Sequence, residues 1–388
     1  MKLFGRDVTR REIATLSGST AQFFGVRSVV GADGAERGVR MLEFRSGGGL
    51  RFTVLVDRAM DVADCDHNGR AIGWQSPTGF VHPGSLDPAG EGGLGFLRGF
   101  SGLLNTCGLD HFGFMHTGDA ARYNYPGRKS IDWPLHGRVN ALPARLTSYG
   151  ERWDGDECVL FAEGVVTQAA VFGEHLTLTR RIEVRAGENR ITLHDRVENP
   201  GFYPTPHMLL YHIDLGFPVV TEGSRYLAPV TSAVWASHHV RYRDQGVGCR
   251  TLPGPRDGFT EQVWQHAMAA DADGMVPVAV VNDALGFGVL LETRASELPC
   301  HLQWQHFQSG AYAMGIEPGT NYARGHGFAE ERGELIELRH AEAREYHLSL
   351  SVLDGTEAIA AAATRIAAIA RQPDEDFPEP TGVFTRLR

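Results

Sequence analysis

Apolar and polar residues alternate with a period of two along much of this chain, which predicts β-strands with one buried face. The clearest run is 176–184, where Leu176, Leu178, Ile182 and Val184 share a face. After a turn at Ala186-Gly187-Glu188-Asn189 the same alternation returns over 191–197, so the two segments read as a half-buried antiparallel hairpin. Further strands are predicted over 50–56, 157–166, 276–282, 286–292 and 344–353. Pro277 falls near a strand start, where a missing N–H is tolerated. Helical spacing is scarce. It is clearest over 356–371, with Thr356 as a cap and Ile359, Ile366 and Ile369 on one side; a shorter helix is expected over 95–104. Residues 76–93 are rich in Pro, Gly and Ser and predict a long loop, of the kind that serves as a lid or as a passive excursion.

Composition sharpens this into an all-β expectation. The 47 glycines exceed the usual ~7% and follow no period, as many tight turns between short strands require. No repeat and no low-complexity linker offers a place to divide the chain. The expectation is one large antiparallel β-sandwich spanning 1–388 with few short helices, its tail 372–388 wrapping the surface. The net charge of −10 comes without like-charge blocks and argues against nucleic-acid or membrane-surface binding. Residues 1–11 are polar, and no apolar stretch is long enough to span a bilayer, so a soluble, cytoplasmic protein is expected. The five cysteines (Cys65, Cys107, Cys158, Cys249, Cys300) are widely spaced without a CxxC pair and read as reduced thiols.

Polar side chains inside apolar strands carry the functional signal, since burying them is costly unless they are paired or used. Four places qualify: Pro134-Leu-His136-Gly-Arg138, Thr205-Pro-His-Met-Leu-Leu-Tyr-His212-Ile-Asp214, His301-Leu-Gln-Trp304-Gln-His306, and Ala313-Met-Gly-Ile-Glu317-Pro-Gly. Each has a plain alternative, as a satisfied core histidine, a space-filling aromatic or the first residue of a turn. Strand parity adds information. His207 and His212 are five apart and face opposite sides, whereas His212 and Asp214 share a face. A histidine–carboxylate site is therefore more natural than a two-histidine metal site. Trp304 pairs with His306 in the same way, and the small Ala313 and Gly315 leave room beside Glu317.

Three of these motifs, Leu135-His136-Gly137, Thr205-Pro206 through His212, and Ile316-Glu317-Pro318, occur in the order and spacing of the aldose 1-epimerase (galactose mutarotase-like) superfamily. The chain resembles a divergent branch of that superfamily from about residue 25 to 353. Met208 and Tyr211 stand where the family has asparagines, and Arg138 follows the His-Gly pair where the family continues with glycine. The resemblance implies a supersandwich fold and anomer exchange without metal or organic cofactor. Glu317 would be the base, His212 the acid, and His136 a holder of the ring oxygen or a hydroxyl. The two proton-transfer groups are expected on opposite sides of the sugar ring.

Arg58, His111, Arg138, Asp214, Trp304 and His306 are candidates for substrate binding, although Arg58 reads equally as an exposed strand-end charge and His111 as solvated. The expected partner is a small-molecule carbohydrate, with a homodimer left open as the assembly. Two rival readings remain: a carbohydrate-binding protein or lyase on the same fold, and a metal-dependent cupin-like enzyme using His136, His207, His212 and Glu317.

Overall fold

The computed structural model describes residues 1–235 and 245–370; the tail expected at 372–388 lies outside the described residues. Three antiparallel sheets carry the fold. The largest has eight strands, in the order Ala144–Asp154, Glu157–Ala169, His175–Arg185, Arg190–Glu198, Ala343–Asp354, Phe287–Arg294, Met275–Asn282 and Arg225–Leu227. The predicted hairpin is present, and its buried positions alternate strictly with half-exposed ones. A seven-stranded sheet runs Val230–Trp235, Gln262–Met268, Cys300–His306, Ala313–Gly319, Thr205–Leu215 and Ile336–Leu338, with Leu104–Leu109 paired onto Thr205–Leu215. A five-stranded sheet is built from residues 25–71. The architecture is the expected all-β sandwich.

The Thr205–Leu215 strand organises the interior, because it is buried along its whole length and on both faces. Its odd positions Leu209, Tyr211, Ile213 and Leu215 enter the main core, which also takes Leu178, Ile182, Leu193 and Val289 from the large sheet. Its even positions Met208 and Leu210 enter a second cluster with Phe96, Phe100 and Trp304. A period of two thus assigns alternate residues to two different environments.

The main core also encloses a charge network. Arg180, fully buried, contacts Asp195 at 2.7 Å and Asp61 at 2.9 Å. Tyr211 donates its hydroxyl to Asp195 at 2.8 Å, and the Thr106 N–H and hydroxyl both donate to Asp61. One guanidinium therefore joins all three sheets. Burial alone would lower the Arg180 pKa, but Asp195 and Asp61 reverse that and hold it above its ordinary value.

Two helical expectations are corrected. Over 95–104 only a short 3-10 turn forms, Gly95–Arg98, and the chain then enters the Leu104–Leu109 strand. Gly99 and Gly102 weaken any helix there, and Gly102 takes φ +114°. The C-terminal helix spans Thr356–Ile369, but Gly355 is its N-cap and no side chain caps it, so Thr356 lies inside. Ile359 and Ile366 are buried as expected, against the Met275–Asn282 and Ala343–Asp354 strands.

Replacing Arg180 with Met leaves two buried carboxylates without a cation, which should cost about 3–5 kcal/mol. Urea unfolding measures this, and a loss below about 1 kcal/mol would contradict the clamp assigned to Arg180.

Candidate functional site

The even face of Thr205–Leu215 carries the chemistry. His212 Nδ1 lies 2.6 Å from Asp214 Oδ1 on one side, and His212 Nε2 lies 3.2 Å from Glu317 Oε1 on the other. Register explains the meeting: Ile213 pairs with Ile316 on the neighbouring strand, which brings the next residues, His212 and Glu317, together. All three side chains are buried. Asn105, opposite His212 on the adjoining strand, donates to the far oxygen of Asp214 at 3.1 Å. The two ion-pair contacts are close but not aligned as hydrogen bonds, so Glu317 Oε1 keeps its capacity for another partner. Gly315 makes the pair sterically possible. A Cβ there would sit 3.1 Å from both Glu317 Oε1 and His212 Cε1.

Both titrations are moved up, for different reasons. Burial pushes the Glu317 carboxyl up to about 7, with the His212 cation opposing and Asp214 reinforcing. Burial disfavours the His212 imidazolium, but Asp214 and then Glu317 outweigh that and raise it to about 9. His136 is held well below its ordinary value by burial and by the neighbouring His212, and is therefore neutral. It stands on a turn with φ +58°, pinned by hydrogen bonds from its N–H to Gly113 O and from Gly108 N–H to its carbonyl. A non-glycine residue held so is strained, a feature that gathers at functional sites.

His212 and Glu317 open into a cavity of about 590 Å³, which His136, Trp304 and His306 also line. Phe100 packs edge-on against His212 at 4.8 Å, and the His136 and Trp304 rings lie 5.8 and 5.4 Å from it. Ser76, Pro77 and Thr78 bring the start of the predicted long loop to the cavity.

Of the nine residues singled out from sequence, five line this space and four do not. Asp214 sits behind His212 and positions it. Arg58 is buried in the loops and donates to the carbonyls of Asn140 (2.5 Å), Val81 (3.3 Å) and Gly99 (3.0 Å), so it is a backbone clamp and not an exposed strand-end charge. His111 is buried, not solvated; it accepts the His326 N–H and stacks at 6.2 Å on Trp133. Arg138 donates to Asp132 O at 2.5 Å. Two further expectations change. Glu317 lies within a strand that continues through Pro318 to Gly319, and His212 and Glu317, expected on opposite sides of a sugar ring, are in contact at 3.2 Å.

His207 points away from the cavity, bonding Leu109 O at 2.9 Å and Tyr346 Oη at 2.6 Å, so the four-residue metal set of the cupin-like reading does not converge. Sequence reading missed Glu261, which accepts from Trp304 Nε1 at 2.9 Å, and the apolar wall formed by Leu94, Phe96 and Leu97. Neither segment carries a strand-period signal.

The β-sandwich is that of mutarotase-like proteins. Residues 36–352 match the family model described as DUF4432, a domain of unknown function, and the chain belongs to that family. Among solved structures, a candidate aldose 1-epimerase from Klebsiella pneumoniae is 26% identical, with a TM-score of 0.82 over 93% of this chain and 91% of that one. A galactose mutarotase-like protein from Clostridium acetobutylicum (12% identity, TM-score 0.57, 86% and 99% covered) shares the fold. So does a galactose 1-epimerase from Lactobacillus acidophilus (11%, 0.52, 85% and 99%). No curated protein matches the chain. Among the described residues no helix is long and apolar enough to cross a membrane.

Asp214→Asn removes the largest influence favouring the His212 cation, so the His212 pKa should fall from about 9. Titration of the imidazole by NMR reads this directly, and an unchanged titration would exclude Asp214 as its source.

Proposed function

We propose that this protein interconverts the anomers of a reducing sugar, in the manner of an aldose 1-epimerase, working as one mutarotase-like unit. The supporting observation is the 3.2 Å contact between His212 Nε2 and Glu317 Oε1 at the base of the cavity. The anomeric hydroxyl oxygen and the ring oxygen of a hemiacetal share one carbon, so a single adjacent pair of acid and base can reach both.

The Glu317 carboxylate takes the proton of the anomeric hydroxyl as that oxygen forms the carbonyl. The bond from the anomeric carbon to the ring oxygen breaks, and the ring oxygen takes the Nε2 proton of His212. Rotation about the first carbon–carbon bond turns the aldehyde. Closure on the other face returns the proton to His212 and takes one from Glu317. His136, neutral and facing the cavity, is placed to hydrogen-bond a sugar oxygen, while Trp304 and His306 offer faces for the apolar side of the ring. Asp214 keeps the His212 cation in place.

Glu317→Gln should slow anomer exchange by about 10²–10⁴-fold over a panel of aldoses while leaving the protein folded. Saturation-transfer NMR measures exchange, and full activity in the variant removes Glu317 as base. Sugar binding by the wild-type protein without exchange would replace the isomerase with a carbohydrate-binding role.

The required state is an ionised Glu317 with a protonated His212. Activity should therefore rise as pH increases through about 7 and fall through about 9. A profile flat between pH 5 and 10, corrected for the solution reaction, would exclude this pair as the working acid and base.

A further inference from the structure

One side of the cavity is continuously apolar, while Ser76, Thr78, Glu261 and Arg324 line other parts of it. His212 and Glu317, each 3% exposed, mark its base. From there an apolar wall runs outward through Phe96 and Leu135 to Leu97, Phe114 and Met115. The last three are 52%, 41% and 44% exposed, with the Arg324 guanidinium over the Phe114 ring at 5.8 Å, and Leu97 and Met115 belong to the large apolar side chains exposed on the described surface. Scattered apolar residues need no explanation, but a group gathered at the mouth of a binding cavity does.

This wall is built. Leu135 N–H bonds Gly93 O at 2.8 Å and His136 N–H bonds Gly113 O at 3.0 Å, tying its three segments together. Gly93 is also where Met115 packs, since a Cβ there would meet Met115 Cγ at 2.8 Å. A cavity of about 590 Å³ lies in the range of roughly 300–1,000 Å³ that holds a drug-sized ligand, more than a bare monosaccharide needs.

We infer that the substrate is a reducing sugar carrying an apolar substituent, a short acyl group or a comparable hydrocarbon, at the end remote from its anomeric carbon. The direction follows from the base. The free anomeric hydroxyl must reach Glu317, so an apolar group cannot be attached there and has to extend from the opposite end of the ring along the wall. This rests on the anomer-exchange reading for its orientation.

The test uses D-glucose and 6-O-butanoyl-D-glucose. Each fully buried methylene tightens binding about fourfold, so kcat/KM for exchange should be at least tenfold higher for the acylated sugar. In a Leu97→Ser/Met115→Ser double variant that ratio should fall towards one. Equal values for the two sugars in the wild-type protein, or a ratio untouched by the double variant, would overturn the inference while leaving anomer exchange standing. Binding is read separately by thermal shift of the Glu317→Gln protein. Tighter binding of the acylated sugar with no exchange of either sugar by the wild-type protein would sink the anomer-exchange reading and keep the apolar preference.

Discussion

A strand buried on both faces has no solvent to satisfy its polar side chains, and the Thr205–Leu215 strand carries four that matter. Each is answered from a neighbouring element. On the odd face, His207 is held between Leu109 O and Tyr346, and Tyr211 donates to Asp195 in the Arg180 network. On the even face, His212 lies between Asp214 and Glu317. The strand is thus fixed from behind by partners that lie outside the cavity face. The network positions the backbone, and the histidine–carboxylate line inherits its geometry from that backbone. Tyr211, a departure from the superfamily pattern at the sequence level, thus has work on the opposite face from the site.

The electrostatics follow from dryness. In water a histidine and a glutamate titrate on either side of pH 5.5 and offer no ionised base beside a protonated acid at neutral pH. Here burial lifts the Glu317 carboxyl to about 7, and the second carboxylate behind the imidazole lifts His212 to about 9. Two acidic groups and one basic one share a buried space, and Asn105 steadies the arrangement by donating to Asp214. Without Asp214 the same burial that raises Glu317 would suppress the His212 cation.

Much of this was legible in the chain because strands have a period of two. Parity alone separated His207 from His212, joined His212 to Asp214, and marked Gly315 as open space beside Glu317. Parity also held a signal that was passed over. Arg180 and Asp195 occupy the apolar-face positions of the predicted hairpin, and two opposite charges on one buried face are an ion pair in waiting. What could not be read locally depends on loops meeting across long separations. The carbonyls that hold Arg58 come from Val81, Gly99 and Asn140. The predicted helix over 95–104 failed because glycines break it, and Phe96, Leu97 and Phe100 of that segment line the cavity.

The adjacency of acid and base has a consequence for binding. In the free protein His212 and Glu317 partly neutralise one another, which tolerates their burial. A hemiacetal offers a hydroxyl hydrogen to the carboxylate and a lone pair to the imidazolium, so its two oxygens can enter this contact without stranding either charge. A ligand lacking that paired donor and acceptor on one carbon would separate the ions and leave at least one uncompensated, at a cost of several kcal/mol. On the proposed anomer exchange, selectivity for reducing sugars would therefore arise from the ion pair itself, leaving the rest of the cavity to distinguish one such sugar from another. Recognition of the reacting carbon by charge and of the remote end by hydrophobic contact would then separate catalysis from specificity along a single axis.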